Sequence, residues 1–134
     1  YIKAIESYEK AIELDPDCAN AYYNLGIAYY DQGNLTKAIE SYKKAIEVDP
    51  DYAIAYNNLG LAYYDQGNLT KAIESYKKAI EVDPDYAIAY NNRAICYYTM
   101  EEYDKAWDDV YKTQSLGNQV HPGFLKALRE ASGR

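Results

Sequence analysis

Apolar residues recur along most of this chain at steps of three and four positions, which is the spacing of one helix face. Between residues 53 and 86 they form two such series, separated at Gly67. A helix commonly closes at glycine, and Asn68 or Thr70 then follows as a candidate N-cap of the next helix. The pattern therefore predicts two amphipathic helices joined by a short turn, and the Asp-Pro-Asp sequence at 83–85 ends the second helix, because proline cannot continue an intrahelical ladder.

This pair of helices repeats with a period of 34 residues. Residues 28–52 and 62–86 are identical at all 25 positions, and residues 1–16 match the second half of a unit. We predict one domain, and the units within it are a half repeat at 1–18, repeats at 19–52 and 53–86, a divergent terminal repeat at 87–120 and a capping helix at 121–134. Consecutive helices are expected to pack antiparallel because the turns between them are short.

Residues at characteristic positions of each unit identify a family resemblance. They are Tyr56, Leu59, Gly60, Tyr63, Ala72, Tyr76, Ala79 and Pro84. With the period of 34 residues, this pattern resembles the tetratricopeptide repeat. The resemblance implies an all-α fold, a right-handed superhelical solenoid of antiparallel helix pairs. It also implies that the first helix of each pair lines a concave groove and that the second forms the convex back.

Small residues and tyrosines are expected to set the packing between helices. Gly26 and Gly60 allow two helix axes to approach closely, and tyrosines from neighbouring hairpins are expected to fill the space around them. The third unit departs from this pattern: Ala94 replaces the glycine, Glu101 replaces Gly67, and Trp107 appears in place of an isoleucine. A short helix from about Pro122 to Ala131 is then predicted to cover this last unit near Trp107, Val110 and Tyr111.

The first predicted helix, Tyr1 to Leu14, is a second helix without its partner. It must pack on the helix that begins at Ala19, which leaves Ile5, Tyr8 or Ile12 partly uncovered on the other side. Self-association through this half repeat at high concentration is one expectation. The alternative is that these residues are an excised piece of a longer array.

The first two full repeats differ at only three positions, and all three lie on one helix face. The differences are Asn20 against Ile54, Tyr23 against Asn57, and Ile27 against Leu61. The resemblance identifies this face as the wall of the groove, so we predict that it binds a protein or peptide ligand through apolar contacts and polar side chains. The candidate residues are Asn20, Tyr23, Asn24, Ile27, Tyr30, Ile54, Asn57, Asn58, Leu61, Tyr64, Ile88, Asn91, Asn92, Ile95 and Tyr98. The alternative for the tyrosines is that they only pack.

Asparagine occupies the same point of each first helix, at Asn24, Asn58 and Asn92. Each amide can both donate and accept. This is similar to the asparagine ladder in the repeat region of O-linked glycosyltransferases, where amides hold a peptide backbone. A clamp for the terminal carboxylate of chaperone tails, which other tetratricopeptide proteins build from lysine, arginine and asparagine, is not expected, because the matching places hold mostly tyrosine and isoleucine.

Composition narrows the classes of partner. The net charge of −7 disfavours nucleic acid and anionic membranes, since both would repel the chain at long range. The chain has 18 tyrosines but one Phe, one Trp and one Met, so tyrosine dominates the packing. Cys18 and Cys96 are expected to be two reduced thiols, with Cys96 buried. No leader or membrane span is recognised, so the cytoplasm is the expected compartment.

Catalytic chemistry has little support in the sequence. His121 is the only histidine, and no second ligand lies at metal-binding or triad spacing, so a structural role is expected for it. No phosphate-binding loop occurs, and no cofactor is implied. We therefore predict a non-catalytic protein–protein interaction module. The alternatives are a self-assembling structural scaffold, or an engineered, idealised repeat protein without a natural partner.

Overall fold

A computed structural model describes all 134 residues and contains eight helices and no strand. Each helix packs mainly on the helices directly before and after it in the chain, which is the arrangement of a solenoid. The all-helical prediction is confirmed. None of the helices is long and apolar enough to cross a lipid bilayer. The helices are α1 (Ile2–Leu14), α2 (Ala19–Asp31), α3 (Leu35–Val48), α4 (Ala53–Asp65), α5 (Leu69–Val82), α6 (Ala87–Thr99), α7 (Tyr103–Ser115) and α8 (Pro122–Ser132).

The turns inside the first two full pairs are built from glycine and asparagine. Gly33 and Gly67 have φ angles of 84° and 81°, which side-chain-bearing residues rarely adopt. The next residue caps the following helix: Oδ1 of Asn34 accepts from the backbone N–H of Lys37 at 3.2 Å, and Asn68 does the same for Lys71. Of the two predicted caps, asparagine is therefore the one used, and threonine is not.

Two glycines permit the closest helix contact in the core. A Cβ atom built at Gly26 would lie 2.5 Å from the ring of Tyr42, and one built at Gly60 would lie 2.5 Å from the ring of Tyr76. Both rings are almost completely buried, with exposures of 2% and 1%. The expected close approach at the glycines is confirmed, but the expectation that the tyrosines come from neighbouring hairpins is wrong. Each ring belongs to the second helix of the same pair, so the contact joins the two helices of that pair.

The last pair, α6 and α7, keeps this architecture with different side chains. Ala94 takes the glycine position, and Val110 takes the tyrosine position, so a smaller side chain on α7 makes room for the added methyl group. Beside them, the Leu59 and Ser75 of the preceding pair are replaced by Arg93 and Asp109, which form two hydrogen bonds of 2.8 Å. Changes on the two helices therefore compensate each other.

The buried ion pair between Arg93 and Asp109 perturbs both groups. The hydrogen bonds to Asp109 raise the pKa of Arg93 above its ordinary value. Burial raises the pKa of Asp109, and the hydrogen bonds from Arg93 act against that rise. Removing either partner would leave an unpaired charge inside the protein.

The turn between α6 and α7 carries a strained residue. Glu101 stands where the earlier pairs have glycine, and its φ angle is 62°, in the left-handed region. It is the only residue other than glycine with a positive φ. For a residue with a Cβ atom this conformation costs about 1–2 kcal/mol.

Helix α8 closes the end of the solenoid. Leu128 is fully buried in a small core with Trp107 and Val110, and Nε1 of Trp107 donates to Oγ of Ser132 at 3.0 Å. The predicted capping helix is confirmed within one residue at its C-terminal end. His121 caps it, because Nδ1 accepts from the backbone N–H of Gly123 at 2.9 Å, which is the structural role expected.

The expectation that α8 also covers Tyr111 is wrong. Tyr111 is 52% exposed, and its ring stacks on that of Trp107 with the centroids 5.5 Å apart. The ring thus shields the tryptophan from solvent on its outer side instead of lying beneath α8.

At the other end, α1 is incompletely covered. Ile5, Tyr8 and Ile12 are half-buried against the core formed by α2 to α6, as expected. Three further side chains of this end lie in solvent; their exposures are 67% for Tyr1, 68% for Ile2 and 88% for Leu14.

Both cysteines are unpaired, as expected. Cys96 is fully buried on α6, and burial raises the pKa of its thiol to about 12. Cys18 is half-buried in front of α2.

Candidate interaction surface

The candidate residues lie on α2, α4 and α6, five on each helix, at equivalent positions. We call this set of side chains the first-helix face. Hydrogen bonds and aromatic contacts connect it from one helix pair to the next.

An amide chain runs across three helices of this face. Nδ2 of Asn92 donates to Oδ1 of Asn57 at 3.0 Å, and Nδ2 of Asn57 donates to Oδ1 of Asn58 at 3.3 Å. Nδ2 of Asn58 then donates to the hydroxyl of Tyr23 at 3.0 Å. Tyr23 and Asn57 occupy equivalent positions, so each accepts the same bond from the next pair.

These hydrogen bonds show that the asparagines of the predicted ladder differ in what their amides contact. Asn58 and Asn92 each donate one side-chain N–H to a neighbouring residue of the protein, and each amide has a second N–H. Asn57 is only 4% exposed, so it lies beneath the face and supports it instead of contributing to the surface. Asn24 and Asn91 are half-buried at the two ends of the face, and Oδ1 of Asn91 is buried without a hydrogen-bond partner.

Tyrosine side chains reinforce the first half of the face. The ring of Tyr23 lies between those of Tyr42 and Tyr52, at centroid distances of 6.0 and 5.2 Å. The hydroxyl of Tyr52 donates to Oδ1 of Asn20 at 2.7 Å. Burial raises the pKa of Tyr23 above its ordinary value, against the effect of the hydrogen bond with Asn58.

A second tyrosine links neighbouring pairs at the far edge. The hydroxyl of Tyr30 donates to the carboxylate of Asp65. Burial, followed by this hydrogen bond, raises the pKa of Tyr30 to about 12. The hydroxyl of Tyr30 is therefore used in a contact between helix pairs, whereas the residue as a whole stays half-exposed.

A small cavity opens on the face between α4 and α6. Its volume is about 50 Å³, and it is lined by Leu61, Tyr64, Tyr76, Asn92 and Ile95. Between α2 and α4, Tyr23 contacts the equivalents of two of these residues, namely Tyr42 and Asn58. At the equivalent position Asn57 still reaches Asn92 through its hydrogen bond, but it is too short to cover the ring of Tyr76, which lines the cavity.

Aliphatic side chains project from the middle and the end of the face. Ile54 is 40% exposed and Ile88 is 50% exposed. Ile27, Leu61 and Ile95 are half-buried beside the amides. At the end of the face Tyr98 packs edge-on against Phe124 of α8, with the centroids 5.6 Å apart, so α8 covers part of it.

Positive charges are kept away from this face. The helices α2, α4 and α6 contain no lysine, and their only arginine, Arg93, is paired with Asp109. Lysines of the second helices lie over tyrosines outside the face, such as Lys37 over Tyr29 at 5.3 Å and Lys71 over Tyr63 at 5.5 Å.

Comparison with known proteins agrees with the geometry. A family model described as TPR repeat, the tetratricopeptide repeat, matches residues 1–33, 27–67 and 60–101. The crystal structure of MamA protein is 34% identical, with a TM-score of 0.81, over 96% of this chain and 72% of that chain. The first TPR of Spaghetti (RPAP3), bound to HSP90 peptide SRMEEVD, is 23% identical, with a TM-score of 0.79, over 86% of this chain and 90% of that chain. A comparison with curated proteins found no match.

Proposed function

Because the chain belongs to the tetratricopeptide repeat family, we propose that it is a non-catalytic interaction module that binds a peptide or protein segment in a concave groove lined by the first-helix face. The observation that carries the proposal is the exposure of Ile54 and Ile88 between half-buried amides. Such aliphatic side chains gain free energy when a partner covers them, at about 25 cal/mol per Å² of buried apolar surface.

The chemistry of the face suits an extended segment. Asn24, Asn58 and Asn92 present amides that pair with a peptide backbone whatever its sequence, and the isoleucines offer contacts for its side chains. Tyrosines add large contact area at little entropic cost. A protein of the same fold, the first TPR of Spaghetti, is bound to a peptide, which supports peptide binding as the use of this fold here.

The test is a selection from a random peptide display library, followed by fluorescence anisotropy with the enriched peptide. Ile54→Glu and Ile88→Glu place a charge on the face, whereas Ile2→Glu makes the same change on exposed α1 and serves as the control. We expect each face variant to bind about tenfold more weakly and the control to bind like the parent chain. Failure to enrich any peptide, or equal affinity in all variants, would contradict the proposal.

Self-association is a second candidate, favoured by the exposed side chains of Tyr1, Ile2 and Leu14. Size-exclusion chromatography with multi-angle scattering over a wide concentration range separates the two candidates. A concentration-independent monomer supports a groove for a foreign segment. A dimer or polymer that the Leu14→Glu substitution converts to a monomer would support assembly through α1.

A further inference from the structure

We infer that the first-helix face selects a segment carrying an aliphatic side chain together with a lysine or arginine, and that it rejects acidic segments that end in a carboxylate. This inference rests on the proposed function and specifies the chemistry of its ligand. Two features carry it, namely the cavity between α4 and α6 and the distribution of charge.

The cavity is a seat for one aliphatic side chain. Its walls come mainly from the hydrophobic residues Leu61, Tyr64 and Ile95, and its volume of about 50 Å³ leaves room for one small apolar group only. Asn92 also lines it and keeps one free N–H, which can bond the ligand backbone beside the seated side chain. An extended ligand would therefore be fixed by side chain and backbone at one point.

The position of the cavity follows from two differences between the repeats, because Asn57 and Leu61 stand where the first full repeat has Tyr23 and Ile27. Tyr23 packs against the ring of Tyr42, while Asn57 at the equivalent position leaves the ring of Tyr76 open to the cavity. Both residues accept the same amide hydrogen bond, so the difference affects the shape of the surface and spares the link between helix pairs. An equivalent opening of about 170 Å³, lined by Tyr8, Asn24 and Ile27 among others, lies between α1 and α2, so the seat between α4 and α6 is the smaller of two openings along the face.

The fifteen side chains of the first-helix face are uncharged, and the carboxylates that border it at the ends of α2 and α4 are negative. Asp31 and Asp65 are the last residues of α2 and α4, and no lysine lies on α2, α4 or α6. An acidic group at a helix C-terminus is disfavoured by the helix dipole, so these carboxylates do not stabilise their own helices. Asp65 accepts the hydroxyl of Tyr30, whereas Asp31 is exposed and forms none of the salt bridges.

Charge complementarity therefore favours a cationic side chain near Asp31 and disfavours an anionic one. A terminal carboxylate would find no cation on the face, because Arg93 is already paired with Asp109. The net charge of −7 repels acidic peptides at longer range as well. The peptide SRMEEVD, which is bound in the first TPR of Spaghetti, is the natural negative probe.

The experiment begins with a random heptapeptide display selection on the whole chain. We expect the enriched peptides to contain Val, Leu or Ile with Lys or Arg nearby. Anisotropy is then measured with three synthetic probes: the most enriched peptide, the same peptide with its Lys or Arg changed to Gln, and SRMEEVD. The enriched peptide should bind tightest, and its affinity should fall as salt is added.

Variants separate the two features. Asn57→Tyr should fill the seat and weaken binding about tenfold, since one aliphatic contact in a pocket is worth that much. Leu61→Phe narrows the same cavity without touching the amide chain and should act in the same direction. Asp31→Asn with Asp65→Asn should weaken binding about two- to fivefold and reduce its salt dependence, while Glu40→Gln removes the same kind of charge outside the face as a control.

The outcomes distinguish this inference from the proposed function. If no peptide is enriched, the proposed function fails and the inference fails with it. If peptides are enriched without an aliphatic or basic preference, or if SRMEEVD binds as tightly as the enriched peptide, the chain is a peptide-binding module but this inference is wrong. If folded Asn57→Tyr and Leu61→Phe bind the enriched peptide with unchanged affinity, the cavity does not bind an aliphatic side chain of the ligand.

Discussion

Replacing Gly60 by alanine should destabilise the chain, although alanine is the better helix former. The added Cβ would lie 2.5 Å from Cε1 and 2.8 Å from Cδ1 of Tyr76. Ordinary carbon contacts are about 3.5–4.0 Å, so the ring would have to move by about 1 Å. Tyr76 is 1% exposed, so the ring cannot swing into solvent, and the cavity of about 50 Å³ beside it leaves little room for the ring to shift.

The magnitude is a difference between two effects. Overpacking a well-packed core costs about 1–3 kcal/mol, and a fully buried ring belongs in the upper half of that range. Alanine recovers about 0.8–1.0 kcal/mol of helix propensity relative to glycine. The expected net loss in the free energy of unfolding is therefore about 1–2 kcal/mol, and the Tm should fall by roughly 3–8 °C for a domain of this size.

The third helix pair supplies the matched compensation. It carries Ala94 and Val110 where the second pair has Gly60 and Tyr76. The variant with both Gly60→Ala and Tyr76→Val should thus lose less stability than the sum of the two single variants, by about 1–2 kcal/mol. Urea unfolding followed by circular dichroism measures all three. If Gly60→Ala is as stable as the parent chain, or if the two changes are additive, the glycine–tyrosine contact does not set the distance between these helices.

Three further predictions concern strain, thiols and pH. Glu101→Gly should stabilise the chain by about 0.5–1 kcal/mol, because relief of the left-handed strain exceeds the entropy that glycine adds to the unfolded state; a lower urea midpoint would contradict this. Cys18 alone should react with a thiol reagent in the native protein, and Cys96 only after unfolding, since burial raises its pKa to about 12; native labelling of both would be the opposite result. Burial raises the pKa of Tyr42 and Tyr76 above the value of about 10 in the unfolded chain, so the stability they contribute is complete below pH 10 and is lost above it, at about 1.4 kcal/mol per pH unit for each; an unchanged Tm between pH 9 and pH 11 would refute it.

Most of the helices could be predicted from the sequence, because the same pattern of packing residues occurs in each repeat. The identity of residues 28–52 and 62–86 fixes equivalent helices, and the glycine and proline between them mark the ends. The close contact at Gly26 was also predictable, since a glycine inside a helix that also recurs needs a steric reason. The position of Tyr111 was not, because its apolar ring is satisfied by stacking on Trp107 from the outside.

The candidate surface was predictable as a helix face but not in its detail. Spacing places Asn57 beside Asn58 on the same side of α4, yet sequence cannot show that one amide lies beneath the other. That depends on a hydrogen bond from Asn92 in the next pair, 35 residues away. The cavity at Tyr76 could not be predicted either, because it depends on how side chains of α4, α5 and α6 meet in space.

The identity of α3 and α5 has a consequence for how such a chain can change in length. If residues 53–86 were removed, Tyr52 would precede Ala87 as Tyr86 does now, and α3 would meet α6 with the same side chains that α5 presents. Asn92 would then face Tyr23, which already accepts an amide hydrogen bond of this kind from Asn58. Recombination in steps of 34 residues can therefore shorten or extend the array while it reuses the contacts of α3 and α5 and the amide hydrogen bond between pairs, so the length of the array can vary while most of its packing is kept.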